Sequence, residues 1–306
     1  TDSISGGSLG GQLDFQSSML EPSRNALGRI AIGLADTFNN QHRLGVSLDG
    51  DVNTDFFTVG TPDVIAIDGA SNNVAAAIVD PAALSDSDYE LTYNGGNSYT
   101  LLKLSDKSVI SIDQHIIRPT INGASDINTL ISNPRKLAIA GALRGISATN
   151  SNGIPTNIGN AEISDVSISS TSGVPLATDI TLTFDAALNQ FNLSAPPGGT
   201  LAYDPTTENA GKQFTIAAAG GASFTISGFP EDGDAFVIQN NTCADVDNRN
   251  GLLLNELQSS KTLLNGSASY LDAYGQLIAD VGSLTRQTEI SGEALGILRK
   301  QTLEAR

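Results

Sequence analysis

SYLDAYGQLIADVGSLTRQTEISGEALGILRKQTL, Ser269 to Leu303, is the stretch on which the fold turns. Tyr270, Tyr274, Leu277, Val281, Leu284, Thr288, Ser291, Leu295, Leu298 and Thr302 follow spacings of four and three without a proline. That is a heptad seam, softened by hydroxyls in its middle. About 37 residues at 1.5 Å each make a rod of roughly 55 Å, too long to fold back on one small core. Its apolar side must lie along another helix.

The chain's beginning supplies the candidate. Ser8 to Leu20, SLGGQLDFQSSML, gives one amphipathic turn set, and Pro22 sits where a new helix can start. From Ser23, Leu27, Ile30, Ala31, Leu34, Ala35 and Phe38 form one stripe on a helix that ends near Leu44-Gly45. Just before the rod, DVDNRNGLLLNELQ (Asp245–Gln258) offers Asp247 or Asn248 as the cap of a helix carrying Leu252, Leu253 and Leu257, with a break at Asn265-Gly266.

Between the helical ends the period changes. DYELTYNGGNSYTLLKLSD (Asp88–Asp106) alternates Tyr89, Leu91, Tyr93 and then Tyr99, Leu101 about the turn Asn94-Gly95-Gly96-Asn97, a hairpin signal. Residues 179–196 and 212–241 repeat that texture, as antiparallel sheet does. Residues 131–143 read as a short helix or connector, and 147–160 as loop. The expected fold is α+β. A discontinuous helical rod or coiled-coil domain comes from 1–46 and 246–306. One or two sandwich or barrel-like β modules are inserted, 47–140 and 141–245.

A net charge of -17 over 306 residues repels nucleic acid and anionic membrane surfaces. No apolar run is long enough for membrane insertion. The single cysteine, Cys243, excludes an internal disulfide framework and suits a small buried site. No catalytic, cofactor or metal site is assigned. GGSLG (Gly6–Gly10) matches Gly-x-Ser-x-Gly formally, but that elbow needs a preceding strand, and only five residues precede it. His42 falls at a helix end, where a cation is favourable; His115 lies in a β-like run with no partner ligand in the sequence nearby. Asp49, Asp51, Asn53 and Asp55 alternate as a calcium loop begins, yet Thr54 and Gly60 stand where it needs glycine and glutamate. That stretch is expected to be the exit turn from the helical part. The sequons at Asn192, Asn240 and Asn265 bear on a glycosylating host alone.

FNNQHRLGVSLDGDVNTDFF (Phe38–Phe57) resembles the close of the N-terminal helical part of the flagellar hook-associated protein 1 (FlgK) family. The Asp247-Asn248-Arg249-Asn250 cap, Leu257-Gln258, Asp272-Ala273-Tyr274 and Val281-Gly282 resemble the same family's C-terminal helical part. SDYELTYNGGNSYTL and ISGFPEDGDAFVI resemble its β region. The resemblance implies a structural, non-enzymatic protein: an extracellular ring joining flagellar hook to filament, exported by the flagellar type III route. The implied partners are further copies of itself, the hook protein, hook-associated protein 3, and an export chaperone acting at the C-terminus. Family members carry further terminal helices, so the chain is expected to be a core piece lacking them. The axial subunit-packing surface expected from this resemblance comprises Leu27, Leu34, Phe38, Tyr274, Leu277, Val281, Leu284, Arg286, Leu295, Leu298 and Arg299. Flagellin, hook-associated protein 3 and a surface adhesin with a calcium-binding β module are the alternatives.

Overall fold

The computed structural model describes residues 7–60, 65, 78, 80–85, 87–95, 98–110, 129–194, 196–242 and 244–305. His115, Cys243 and the turn residues Gly96 and Asn97 lie outside the described residues. The fold is α+β, and the chain divides into two compact units. One is Thr1–Thr37, Phe57–Thr129 and Glu256–Arg306; the other is Phe38–Phe56 and Leu130–Asn255. Among the described residues, no helix is long and apolar enough to cross a membrane.

The first unit begins with helix α1 (Gly7–Phe15), which passes through a π-helical turn (Gln16–Leu20) into α2 (Glu21–His42). The sequence suggests a fresh start at Pro22, yet the helix runs on. Proline lacks an N–H, and its ring would strike the carbonyl four residues back. The widened turn relieves that clash, with the Glu21 amide reaching the Gln16 carbonyl five residues behind it.

After strand β1 (Gly45–Val46), the expected hairpin forms as β2 (Tyr89–Gly95) and β3 (Ser98–Lys103), antiparallel, with β4 (Val109–Ile110) beside β3. Tyr93 faces Tyr99 across the pair, their rings 5.1 Å apart.

The C-terminal helix, Tyr270–Glu304, has 35 residues, a length of about 52 Å. Its start is fixed by a capping box: the Asp272 amide donates to the Ser269 hydroxyl oxygen, and the Asp272 carboxylate accepts from the Ser269 amide. Those donations from the Ser269 backbone and hydroxyl hold the Asp272 carboxyl below its ordinary pKa. Ile30 of α2, Leu263, Tyr270 and Ala273 bury together, with Leu257 and Leu277 packed on them. The Thr37 and Tyr270 hydroxyls meet in a hydrogen bond. The expected pairing of N-terminal and C-terminal helices thus exists at this end. The seam, however, is covered for only part of its length: Leu277, Val281 and Leu284 are half-buried, and every residue from 285 to 305 is exposed.

The second unit carries β5 (Ala140–Gly141), β6 (Leu143–Ser147), β7 (Glu162–Ile163), β8 (Ile180–Asp185), β9 (Gln190–Leu193), β10 (Thr200–Ala202), β11 (Lys212–Ile216), β12 (Ala222–Ser227) and β13 (Ala235–Asn240). They form a five-stranded sheet in the order β10-β9-β8-β13-β6 and a three-stranded sheet β11-β12-β7, while β1 pairs with β5. All pairings are antiparallel. Period-two alternation sends Ile180, Leu182 and Phe184 of β8 and Phe236 and Ile238 of β13 inward. There they join Phe191, Tyr203, Phe214 and Phe224 in one aromatic-rich core. Burying each such side chain is worth about 1.5–3 kcal/mol. The segment expected as helix or connector holds a short 3-10 turn, Pro134–Lys136, capped by Asn133 and followed directly by β5 and β6.

Candidate functional site

The buried face of α2 is not the one the large apolar residues suggest. Leu27 and Leu34 are 45% and 38% exposed, whereas Gly28, Ile32, Ala35, Asn39 and His42 are buried, at spacings of four, three, four and three. Glycine and alanine permit close approach, and the two polar residues are buried because each is hydrogen-bonded. Gly33, also inward, occupies a position where a Cβ would collide with the Leu263 side chain.

His42 anchors the helix end. Its ring is 0% exposed and is bordered by Phe38 and Phe56, whose centroids lie 6.3 and 5.9 Å away. The Ala138 amide donates to Nε2 at 2.9 Å, and Nδ1 lies 2.7 Å from the Thr54 carbonyl oxygen. An amide can only donate and a carbonyl only accept, so Nε2 bears the lone pair and Nδ1 the proton. Burial pushes the imidazole pKa below 6.5, outweighing the Thr54 hydrogen bond and the Asp55 charge. The cation expected at this helix end is therefore a neutral ring, because desolvation exceeds what a helix dipole offers.

Around it the recognised motifs converge. Asn39 Oδ1 accepts from the Phe56 amide at 3.0 Å. Asn250 donates to the Ala138 carbonyl at 2.6 Å and accepts from Gln41 at 2.7 Å. In the acidic turn, Asp49 pairs with Arg135 at 2.8 Å, Asp51 with Lys136 at 3.7 Å, and Asp55 with Arg43. These carboxylates answer cations of the same unit, and among the described residues no group of three or more His, Cys, Asp or Glu is arranged to hold a metal. Asp247 caps the short helix Arg249–Glu256 by accepting from the Arg249 amide at 3.0 Å. That helix buries Asn250 and Leu254, while Leu252 and Leu253, expected to pack, are 56% and 43% exposed. Ser8 of the formal GGSLG match lies exposed in the first turn of α1, not at a strand-to-helix elbow.

The remaining expected packing residues divide. Phe38 packs on His42 and Phe56; Leu277, Val281 and Leu284 are half-buried along the start of the C-terminal helix. Tyr274, Leu295 and Leu298 are 51%, 68% and 62% exposed, and Arg286 and Arg299 are exposed with them. The heptad spacing missed Ile290, Ile297 and Leu303, each at least 60% exposed. Ile290 and Ile297 stand seven apart, a second row beside the first, and that spacing was the available signal. The far half of the helix thus displays an apolar arc that this chain's described residues leave uncovered. It also holds Gly292 and Gly296 and is preceded by Gly282, and at none of the three would an added Cβ meet anything within 4 Å among the described residues.

Residues 1–57 match a family model described as the flagellar hook-associated protein FlgK helical domain. Flagellar hook-associated protein 1 of Escherichia coli K12 is 26% identical over 293 residues, 95% of this chain and 40% of that protein. Flagellar hook-associated protein 1 of Salmonella typhimurium is 30% identical over 163 residues, 44% of this chain and 29% of its own. The solved structure of the flagellar hook junction protein FlgK from Burkholderia pseudomallei superposes with a TM-score of 0.79 at 27% identity, over 98% of this chain and 62% of that one. The chain therefore spans well under two thirds of the length of the curated relatives it matches.

Proposed function

We propose, from the chain's place in the flagellar hook-associated protein 1 family, that it is a structural component of the hook–filament junction of a bacterial flagellum, exported and extracellular, with no catalytic role. It packs against further copies of itself in a ring, with the hook protein on one side and hook-associated protein 3 on the other, and an export chaperone escorts it. The axial contacts are made by the helical ends, through Leu27, Leu34 and Phe38 and through Tyr274, Leu277, Val281, Leu284, Arg286, Leu295, Leu298 and Arg299. The β modules, 47–140 and 141–245, lie outside that layer.

The observation that carries this is the uncovered far half of the C-terminal helix, Leu295, Ile297, Leu298 and Leu303 above all. An apolar arc on a helix is stabilised by being covered. Its interior glycines each cost about 0.5–1 kcal/mol of helix stability, and among the described residues no neighbouring atom makes use of the space they leave. A helix so built suits a neighbouring helix that approaches closely.

Deleting the gene and imaging the cells tests it. Bare hooks with flagellin shed into the medium are expected, restored by the wild-type gene. Filaments of normal number and length in the deletion strain would overturn the reading.

A further inference from the structure

We propose that His42 is an acid-operated latch that joins the end of α2 to two neighbouring segments and releases them when its ring is protonated. The claim rests on geometry. The ring is fully buried, and each nitrogen is committed to a different stretch of backbone, Nδ1 to Thr54 and Nε2 to Ala138. No side chain reproduces both bonds with a positive charge present. A protonated ring carries N–H at both nitrogens, so at Nε2 a donor would face the Ala138 donor at 2.9 Å. Charging the ring therefore requires the site to open and Ala138 to lose its partner.

The segments held by the ring also meet each other directly, with Val46 and Ala140 in one apolar cluster and the Asp49–Arg135 and Asp51–Lys136 ion pairs between them. The Thr54 side joins the Ala138 side through the Leu48 amide to the Arg135 carbonyl, the Leu130 amide to the Phe56 carbonyl, and the two residue pairs of the β1–β5 ladder. Asn250 holds the Ala138 carbonyl from the short helix.

The charged groups nearby do not rescue the imidazolium. On α2 itself the neighbour is Arg43, paired with Asp55 of the facing turn, the acid whose charge bears on the ring. Asp49 and Asp51 of that turn already carry Arg135 and Lys136 of the third segment. From the short helix the nearest charge is Arg249, bound to Asp247. Burial, which keeps the latched ring neutral below its ordinary 6.5, is lost on opening. Between that value and the lower one of the latched ring, the open form gains about tenfold per pH unit.

Hydrogen exchange of the whole chain at about pH 7.5 and about pH 5.5, corrected for the intrinsic rate, tests this. The expected result is a loss of protection of up to about tenfold in 45–57 and 130–141, with strands β8 and β13 unchanged. His42→Gln keeps an acceptor for Ala138 and a donor for Thr54 without a charge, so its exchange in those segments is expected to be independent of pH. His115→Gln is expected to behave as wild type. Equal losses in wild type and His42→Gln, or no local loss in wild type, overturn the proposal. Should His42→Gln not fold, the 15N shifts of the wild-type imidazole decide. Protonation of Nε2 while the Ala138 amide stays protected overturns it, and coincidence of the two events upholds it.

Discussion

The Asp247 carboxylate meets the Arg249 guanidinium at 2.7 Å, and each also reaches beyond the other. Asp247 accepts from the Gly141 amide at 3.2 Å and from Asn241 at 2.8 Å. Arg249 donates to the carbonyls of Val166 at 2.8 Å and Leu143 at 3.0 Å. Two residues of one helix start thereby fix three β segments of the second unit. Arg249→Ala strands a carboxylate and two carbonyls, and a loss of about 3 kcal/mol is expected, read from urea unfolding. Arg249→Lys recovers only part of it, because an ammonium lacks the planar fork.

The same pair sets an acid dependence. Burial raises the Asp247 pKa, but the Arg249 side chain and the Arg249 and Gly141 amides outweigh it, leaving the carboxyl below its ordinary 3.8. A depressed carboxyl contributes stability that is fully present above 3.8 and is lost as pH falls towards its native value. Asp247→Asn is expected to be less stable than wild type at neutral pH, with a gap that narrows on acidification below that point. Melting temperatures at about pH 6 and about pH 3 measure the gap, and a constant gap would refute the assignment.

Packing in the first unit is tight where Gly33 lies under Leu263. Alanine improves helix propensity by about 1 kcal/mol, yet overpacking a filled site costs about 1–3 kcal/mol. Gly33→Ala should therefore destabilise, and shortening the neighbour in Gly33→Ala with Leu263→Val should restore much of the loss. Leu263→Ala alone should cost about 3 kcal/mol, since the side chain is 0% exposed. Chemical denaturation separates these outcomes, and a stabilising Gly33→Ala would contradict the close approach.

The capping box predicts a local effect. Ser269→Ala removes the acceptor of the Asp272 amide and the hydroxyl that donates to the Asp272 carboxylate at 2.8 Å. A cost of about 1 kcal/mol is expected, together with faster exchange over the first turn, while 285–305 stays as in wild type.

Surface charges on the C-terminal helix separate assembly from folding. Arg286→Glu with Arg299→Glu alters two exposed positions and should leave monomer stability within about 0.5 kcal/mol. Fewer filaments in a complemented deletion strain are expected. Full motility with this double variant would remove these two residues from the axial contact.

Much of this was readable because it rests on repeating patterns. The seam of Tyr270, Leu277, Val281 and Leu284 and the alternation of β8 report directly which side of an element is covered, whereas β2 alternates with Leu91 and Tyr93 both exposed. The face of α2 was not readable by bulk, since Leu27 and Leu34 outweigh Gly28 and Ala35 in any count of apolar residues. It was readable only by spacing, once Asn39 and His42 are allowed inside. What permits them inside is the carbonyl of Thr54 and the amides of Phe56 and Ala138, partners farther along the chain that no local pattern announces. The exposed apolar arc of the C-terminal helix was half legible for a related reason: a seam predicts that something covers it, and a second row at Ile290 and Ile297 widens what must be covered.

The π-helical turn at Gln16–Leu20 acts as a phase shifter. A widened turn amounts to one extra residue in the helical count, so everything before it is rotated by about 100° relative to an uninterrupted helix. Leu9 and Phe15 are thereby offset in azimuth from the rows that Leu27 and Leu34 would extend. Substituting Pro22 by alanine would let the turn relax to ordinary pitch, and the outward face of α1 would swing round the axis with no change to its sequence. Whatever docks on the two halves of this helix must be cut to that twist, so the angle between two contact faces is encoded by a single imino acid.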